Sequence, residues 1–269
     1  MKNIRVLAAV TFLEGVRNRF FFGLLFIAIL LLGVNVTITH SFAYDLGKVA
    51  VDMGLSATSI FGLMIIFFLG INLISKDLDK LTVYMVMGRP IARWHYVAGK
   101  FLGLSLILLV SILILGAISA LSVVLATLGK ASYVPRDFSW LGFGVALGYQ
   151  YISLNLITAF TLLFATLTSS AFVAMLLSMA TYFIGQNIEL LIKLLASQHY
   201  FEHTTQIEKM ARSLYWVFPN LAAFDLKTAA AYGLPMDPGY LAWTLVYGLV
   251  YTILLLMLTS YLFHRRELA

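Results

Sequence analysis

The sequence predicts an all-α integral membrane protein with six transmembrane helices. Of its 269 residues 61% are hydrophobic and only 11% are charged, whereas about a quarter of a soluble protein is charged. Six uncharged apolar runs approach or exceed the ~20 residues that cross a bilayer as helix. All five prolines lie outside these runs, as expected where every backbone hydrogen bond must be satisfied within the helix. An ordinary soluble enzyme is excluded, because one core of this size cannot bury so much apolar surface.

The six predicted spans cover about residues 20–38, 54–74, 101–128, 140–167, 171–191 and 240–263. The fourth and fifth come from one apolar block that is too long for a single crossing, and Thr168-Ser169-Ser170 supplies a turn between them. The runs are uniformly apolar, whereas strands of a membrane barrel alternate between apolar and polar residues. We therefore predict a single transmembrane domain over residues 1–269.

The distribution of basic residues predicts the orientation. Six spans place both termini on one side, and that side carries eleven of the 18 Lys and Arg residues: Lys2, Arg5, Arg17, Arg19, Lys76, Lys80, Arg89, Arg93, Lys100, Arg265 and Arg266. Because basic residues near span ends mark the inner side, both termini are predicted to be cytoplasmic in a multi-pass protein of the cytoplasmic (inner) membrane. The net charge of +6 is spread over short loops, so it predicts no nucleic-acid-binding face.

Two loops are large enough to carry function: a cytoplasmic loop over residues 75–100 and an external loop over residues 192–239. Within the first, Leu81 to Met87 is apolar but too short to cross, and charge flanks it. This segment must lie at the membrane surface or bind a protein partner. Gly88-Arg89-Pro90 ends it, because proline disfavours helix at the residue before it.

The cytoplasmic loop carries a motif of two spaced acidic residues, a threonine, an apolar stretch, Pro-Ile-x-Arg and Gly-Lys. The matching positions are Asp77, Asp79, Thr82, Pro90, Ile91, Arg93, Gly99 and Lys100. This pattern resembles the permease subunits of type-2 ATP-binding-cassette (ABC) exporters, which have the type V exporter fold. Two departures are aspartate in place of the commoner glutamate and Leu81 where glycine is usual.

The resemblance extends to both ends of the chain. The basic segment before the first span resembles the family's interfacial elbow helix, although residues 2–19 show a poor apolar stripe. Phe218-Pro219-Asn220-Leu221 and Phe224-Asp225 resemble its segment before the last span. The resemblance implies short re-entrant or external helices there, forming a lid over the outer exit; a simple interfacial loop is the alternative.

The resemblance implies that the cytoplasmic loop forms a coupling helix that docks a separate ATPase subunit. The residues assigned to this coupling are Asp77, Asp79, Thr82, Tyr84, Met85, Arg89, Pro90 and Arg93. The sequence has no Gly-x-x-x-x-Gly-Lys-Ser/Thr phosphate loop, so the chain is predicted not to be an enzyme and to carry no cofactor, with ATP and Mg²⁺ bound by the partner. Its other predicted partners are a second permease copy, as a homodimer or with a sister permease, and the lipid bilayer; a periplasmic accessory protein is compatible, and nucleic acid is not expected.

Single polar residues within or next to the spans are the candidates for the translocation path. They are Asn35, Asn72, Gln150, Asn155, Gln186 and Glu189. For the first four, hydrogen bonds between helices are the simpler explanation. Gln186 and Glu189 either lie in the membrane or, if span five ends at Gly185, belong to an outer amphipathic helix.

Other functions have less support in the sequence. His199 and His203 are spaced to share a helix face, and they are the candidate ligands of a membrane-integral metal-binding protein or metalloenzyme. Without a clear third ligand, we predict no metal site. An ion-coupled secondary carrier is opposed by the shortage of acids within the spans. The substrate is left open, since the apolar spans suit a lipid or amphipathic drug and the 14% aromatic content suits a saccharide equally.

Overall fold

The structure, a computed structural model, describes residues 2–39, 46–73, 92–127, 138–168, 170–196 and 218–265. These residues form helices joined by turns, without a strand among them, as predicted for an all-α membrane protein. The helices are α1 (Lys2–Val16), α2 (Arg19–Thr39), α3 (Leu46–Met64), α4 (Arg93–Thr127), α5 (Trp140–Leu167), α6 (Ala171–Ala196), α7 (Lys227–Tyr232) and α8 (Pro238–Arg265). A π-helical segment, Ile65–Gly70, continues α3 towards Leu73, and a 3₁₀ turn, Ala222–Phe224, precedes α7.

Five helices in the described part of the chain are long and apolar enough to cross a membrane. They cover Gly47–Leu73, Arg93–Leu125, Trp140–Leu167, Ala171–Leu190 and Pro238–Arg265. The first predicted span is helical as α2, but its described apolar stretch, Phe21–Leu30, is shorter. The count of six spans therefore stays a prediction.

Several helices extend beyond the apolar runs, because a helix continues past the hydrocarbon until a turn or cap ends it. The predicted cytoplasmic loop over residues 75–100 is shorter at its C-terminal end, since α4 already begins at Arg93. Likewise α6 runs on to Ala196, within the predicted external loop over residues 192–239. The predicted turn after Leu167 is present, and the Thr168 hydroxyl donates to Phe164 O at 2.8 Å where α5 ends.

α5 lies at the centre of the bundle. It contacts α3, α4, α6, α7 and α8, and 72% of its apolar window is buried, against 28% for α6 and 22% for α8. The two peripheral helices therefore present most of their apolar surface outward, to lipid or to another protein.

α1 packs along the beginning of α4. A Cβ atom at Gly99 would lie 2.6 Å from Leu7 Cβ, and one at Gly103 would lie 2.9 Å from Ala8 O. Glycines four residues apart thus allow the two backbones to approach closely. This contact gives a structural reason for the glycine at position 99, which is part of the loop motif.

Candidate functional site

Residues 218–237 form a re-entrant hairpin that packs into the end of the bundle where α5 and α8 begin. Phe224 is 2% exposed and stacks on the Tyr247 ring at 6.1 Å. A Cβ atom at Gly248 would lie 2.8 Å from the Phe224 ring, and Gly248 comes ten residues after the first residue of α8. At 1.5 Å per residue the hairpin therefore reaches about 15 Å below the start of α8.

Local sequence explains how the hairpin ends and α8 begins. Gly233 ends α7 with a left-handed φ of 64°, and Leu234 N donates to Ala229 O at 2.9 Å in a C-terminal capping motif. Pro238 is the first residue of α8, and the preceding Asp237 accepts from Gly239 N at 3.0 Å. The short helices predicted before the last span are present, as this hairpin.

Three hydrogen bonds join the hairpin to α6. The Leu221 amide donates to Gly185 O at 3.0 Å. Gln186 Nε2 donates to Asp225 Oδ2 at 3.2 Å, and Asn220 Nδ2 donates to Glu189 Oε2 at 3.4 Å. We call the two side-chain pairs the hairpin latch.

Gln186 and Glu189 lie on one uninterrupted helix, α6, within its membrane-length apolar part, Ala171–Leu190. Both side chains pair with the hairpin through the latch. Whether the membrane-embedded part of α6 includes them or ends at Gly185 stays a prediction.

A small polar cavity lies behind the latch, where α3, α5, α6 and the hairpin meet. Its volume is about 30 Å³, room for one water molecule. The polar side chains that line it are Ser59, Gln150, Ser153, Tyr182, Gln186, Asp225 and Lys227. Lys227 Nζ lies 3.3 Å from Asp225 Oδ2, so the two opposite charges beside the cavity are paired.

Gln150 also forms the hydrogen bond between helices that its position predicts. Its Nε2 donates to the Thr58 hydroxyl of α3 at 3.1 Å, and Thr58 is fully buried. Asn155 differs, because its Nδ2 donates to Tyr151 O of its own helix at 2.9 Å. The prediction of a hydrogen bond to another helix is therefore wrong for the Asn155 amide donor.

The opposite end of the bundle, where α4 begins and α8 ends, holds a second group of contacts. Arg93 Nη1 donates to Phe263 O at 2.9 Å and to His264 O at 2.7 Å, in the last turn of α8. The Phe263 ring is fully buried and stacks on Tyr96 at 5.5 Å. The end of α8 is thereby fixed to the beginning of α4.

The family model described as "ABC-2 family transporter protein" matches residues 5–268, nearly the whole chain. The chain belongs to this family. It is a permease subunit of an ABC transporter, and with its five membrane-length helices it is a multi-pass membrane protein. Members of this family are membrane components of transporters. The match therefore confirms the resemblance to ABC permeases that the loop motif indicated. No curated protein matches the chain.

Most of this permease's predicted coupling residues lie outside the described residues: Asp77, Asp79, Thr82, Tyr84, Met85, Arg89 and Pro90. Of that set, only Arg93 belongs to the described residues. The two carbonyl groups that accept its hydrogen bonds belong to α8 of the permease itself. His199, His203 and the Asn35 side chain also lie outside the described residues. The described residues contain no group of three or more His, Asp or Glu placed to hold a metal ion.

Of the path candidates, Gln150, Gln186 and Glu189 surround the latch and its cavity. Asn72 lies apart, exposed just after the π-helical segment that continues α3, and lines a cavity of about 570 Å³ with Glu14, Arg17 and Asn18. The prediction missed Asp225 and Lys227 because their segment was assigned to the external loop. A signal was available, since two opposite charges flank one residue between apolar stretches.

Proposed function

We propose that this permease is the membrane half of an ATP-driven exporter and docks a separate ATPase subunit through the loop between α3 and α4. The supporting observation is the contact of Arg93 with the last turn of α8. This contact places the C-terminal end of the loop on the same side of the bundle as the C-terminal end of α8. α1 packs on the same part of α4. Both chain ends and the loop are thus together on the side that is richer in basic residues, which we take to be the cytoplasm.

In this proposal the partner binds ATP and Mg²⁺, and closure of the partner moves the loop. The contact surface is the apolar segment Leu81 to Met87 with the acidic residues before it. Methionine and leucine side chains adapt to irregular grooves, and carboxylates add charge-assisted hydrogen bonds.

We further propose a homodimer that meets through α6. Between Ala171 and Leu190, the exposed residues of α6 are apolar except for Asn187, which donates to Phe183 O of its own helix at 2.9 Å. A carboxamide in lipid is costly, whereas a two-fold partner would place a second amide opposite it. On α8, by contrast, every exposed residue from Leu245 to Leu258 is apolar, which suits lipid.

The translocation route of this dimer would run between the copies, beside α3 and α6. These helices are neighbours through the π-helical segment of α3. α3 also exposes Asp52 near its outer end and Asn72 near its inner end. The hairpin closes the outer side of the bundle in this arrangement, so export requires the latch to open.

A binding assay tests the docking. The permease in detergent is mixed with the purified ABC ATPase subunit of its transporter, and stoichiometric recovery on the tagged permease is measured. We expect binding to be lost on deletion of residues 81–87 and in the double variant Asp77→Lys, Asp79→Lys. Asp52→Lys, at an exposed position near the beginning of α3, is the matched control and keeps binding. Stoichiometric binding by both loop variants would contradict the docking assignment.

A further inference from the structure

Arg93 lies at the junction between the cytoplasmic loop and two transmembrane helices. It is the first residue of α4, and its guanidinium donates to two carbonyl groups 170 and 171 residues further along the chain. The last carbonyls of a helix have no partner within the helix. A cation at this end also interacts favourably with the helix dipole.

Packing around Arg93 makes the junction one compact block. Tyr96, Val97 and Phe263 form a separate buried cluster, with the two rings stacked. On another side of α4, α1 is held at Gly99 and Gly103. A displacement of the loop therefore reaches α8 together with α4, because closely packed helices shift as units.

The outer half of α8 carries the re-entrant hairpin. The backbone N–H of Asn220 donates to the Tyr247 hydroxyl at 3.0 Å, and the Tyr240 hydroxyl donates to Ala223 O at 3.1 Å. The same hairpin is bound to α6 by the latch. A shift of α8 relative to α6 must therefore strain or break the latch.

We propose that Arg93 is a positioning residue that transmits movement of the cytoplasmic loop through α8 to the re-entrant hairpin, where it opens the latch. This inference rests on the proposed docking of an ATPase. It assigns to Arg93 a role inside the permease, in place of contact with the partner.

The test follows the hairpin by spin-label distance measurement. The chain has no cysteine, so Leu190→Cys on α6 and Thr228→Cys on the hairpin, both exposed, give one defined label pair. Labelled copies of the permease are diluted with unlabelled copies in nanodiscs that also contain the partner ATPase. Distances are recorded without nucleotide and with ATP and vanadate.

We expect ATP and vanadate to change the distance in the parent, and the change to be lost in Arg93→Ala and Arg93→Gln although both still bind the ATPase. Arg93→Lys, which keeps a cation, restores part of the change. Arg265→Ala is the control, because this neighbouring cation lies over the Tyr261 ring at 4.7 Å; it behaves as the parent. The glutamine and lysine variants keep the test decisive if alanine prevents folding.

The possible failures are distinguishable. An unaltered distance change in Arg93→Gln overturns the inference, as does a parent that binds ATPase without any distance change. Loss of ATPase binding in Arg93→Gln also overturns it and returns Arg93 to the docking surface. A parent that binds no ATPase overturns the proposed function and, with it, this inference.

Discussion

At the scale of single residues, the glycines of α4 determine how closely α1 can lie. We expect Gly103→Ala to destabilise the permease, because the new methyl group would meet the Thr11 side chain and Ala8 O. Backbone oxygen cannot move aside cheaply, and overpacking costs about 1–3 kcal/mol. Thermal unfolding in detergent measures the effect.

Gly148→Ala is the matched control for this substitution. It lies within α5, and a Cβ atom there meets nothing within 4 Å. Because alanine favours helix over glycine, its unfolding temperature is expected to stay or rise. Equal losses in both variants would show that close packing of α1 is not the cause.

Hydrogen bonding of single polar residues was predictable in kind but not in partner. Gln150 was expected to bond to another helix, and its partner is Thr58, which a hydropathy profile does not distinguish from its neighbours. Arg93 was assigned to ATPase coupling from its motif, and the structure gives it a contact 170 residues away. Partners so distant in the chain depend on how helices are arranged, which local composition does not encode.

At the scale of elements, the latch is expected to control access to the hairpin. We predict that Gln186→Glu loosens it, because a second carboxylate would face Asp225 at hydrogen-bonding distance. Repulsion on the order of 1 kcal/mol or more corresponds to about a fivefold rise in the open population. The measurement is labelling of Ala231→Cys, a fully buried hairpin position, by an impermeant thiol reagent added from outside.

Gln186→Met is the control for this element. It removes the hydrogen bond without adding charge, so its labelling rate should fall between those of the parent and Gln186→Glu. A rate for Gln186→Glu no higher than that of the parent would show that the latch does not hold the hairpin.

Helices were more predictable than the hairpin because the two rest on different kinds of information. Long apolar runs locate membrane helices directly, and the break after Leu167 followed from the length of the block. The depth of the hairpin depends on Gly248 opposite Phe224, a contact between distant segments. Asp225 and Lys227 fall in the predicted external loop because the apolar stretches around them are too short to cross, and the structure places them beside the polar cavity.

At the scale of the whole molecule, the outward faces of the peripheral helices separate a protein contact from a lipid contact. α6 carries Asn187 between the exposed Phe183 and Leu190, whereas exposed residues of α8 such as Ile253 are apolar. In a two-fold dimer, a residue near the axis faces the same residue of the other copy. Single cysteines near such an axis form disulfides between copies.

We therefore expect Asn187→Cys to cross-link the permease into dimers in native membranes under mild oxidation, while Ile253→Cys does not. Both positions are exposed on membrane helices and the parent has no cysteine. A difference in cross-linking between the two variants therefore reports which helix faces the second copy. Asn187→Leu should also lower the dimer fraction in detergent, since polar contacts between membrane helices contribute about 0.6 kcal/mol, or about 1.2 kcal/mol if both amides are lost. Cross-linking of Ile253→Cys with none at Asn187→Cys would instead place α8 at the interface and leave α6 to lipid.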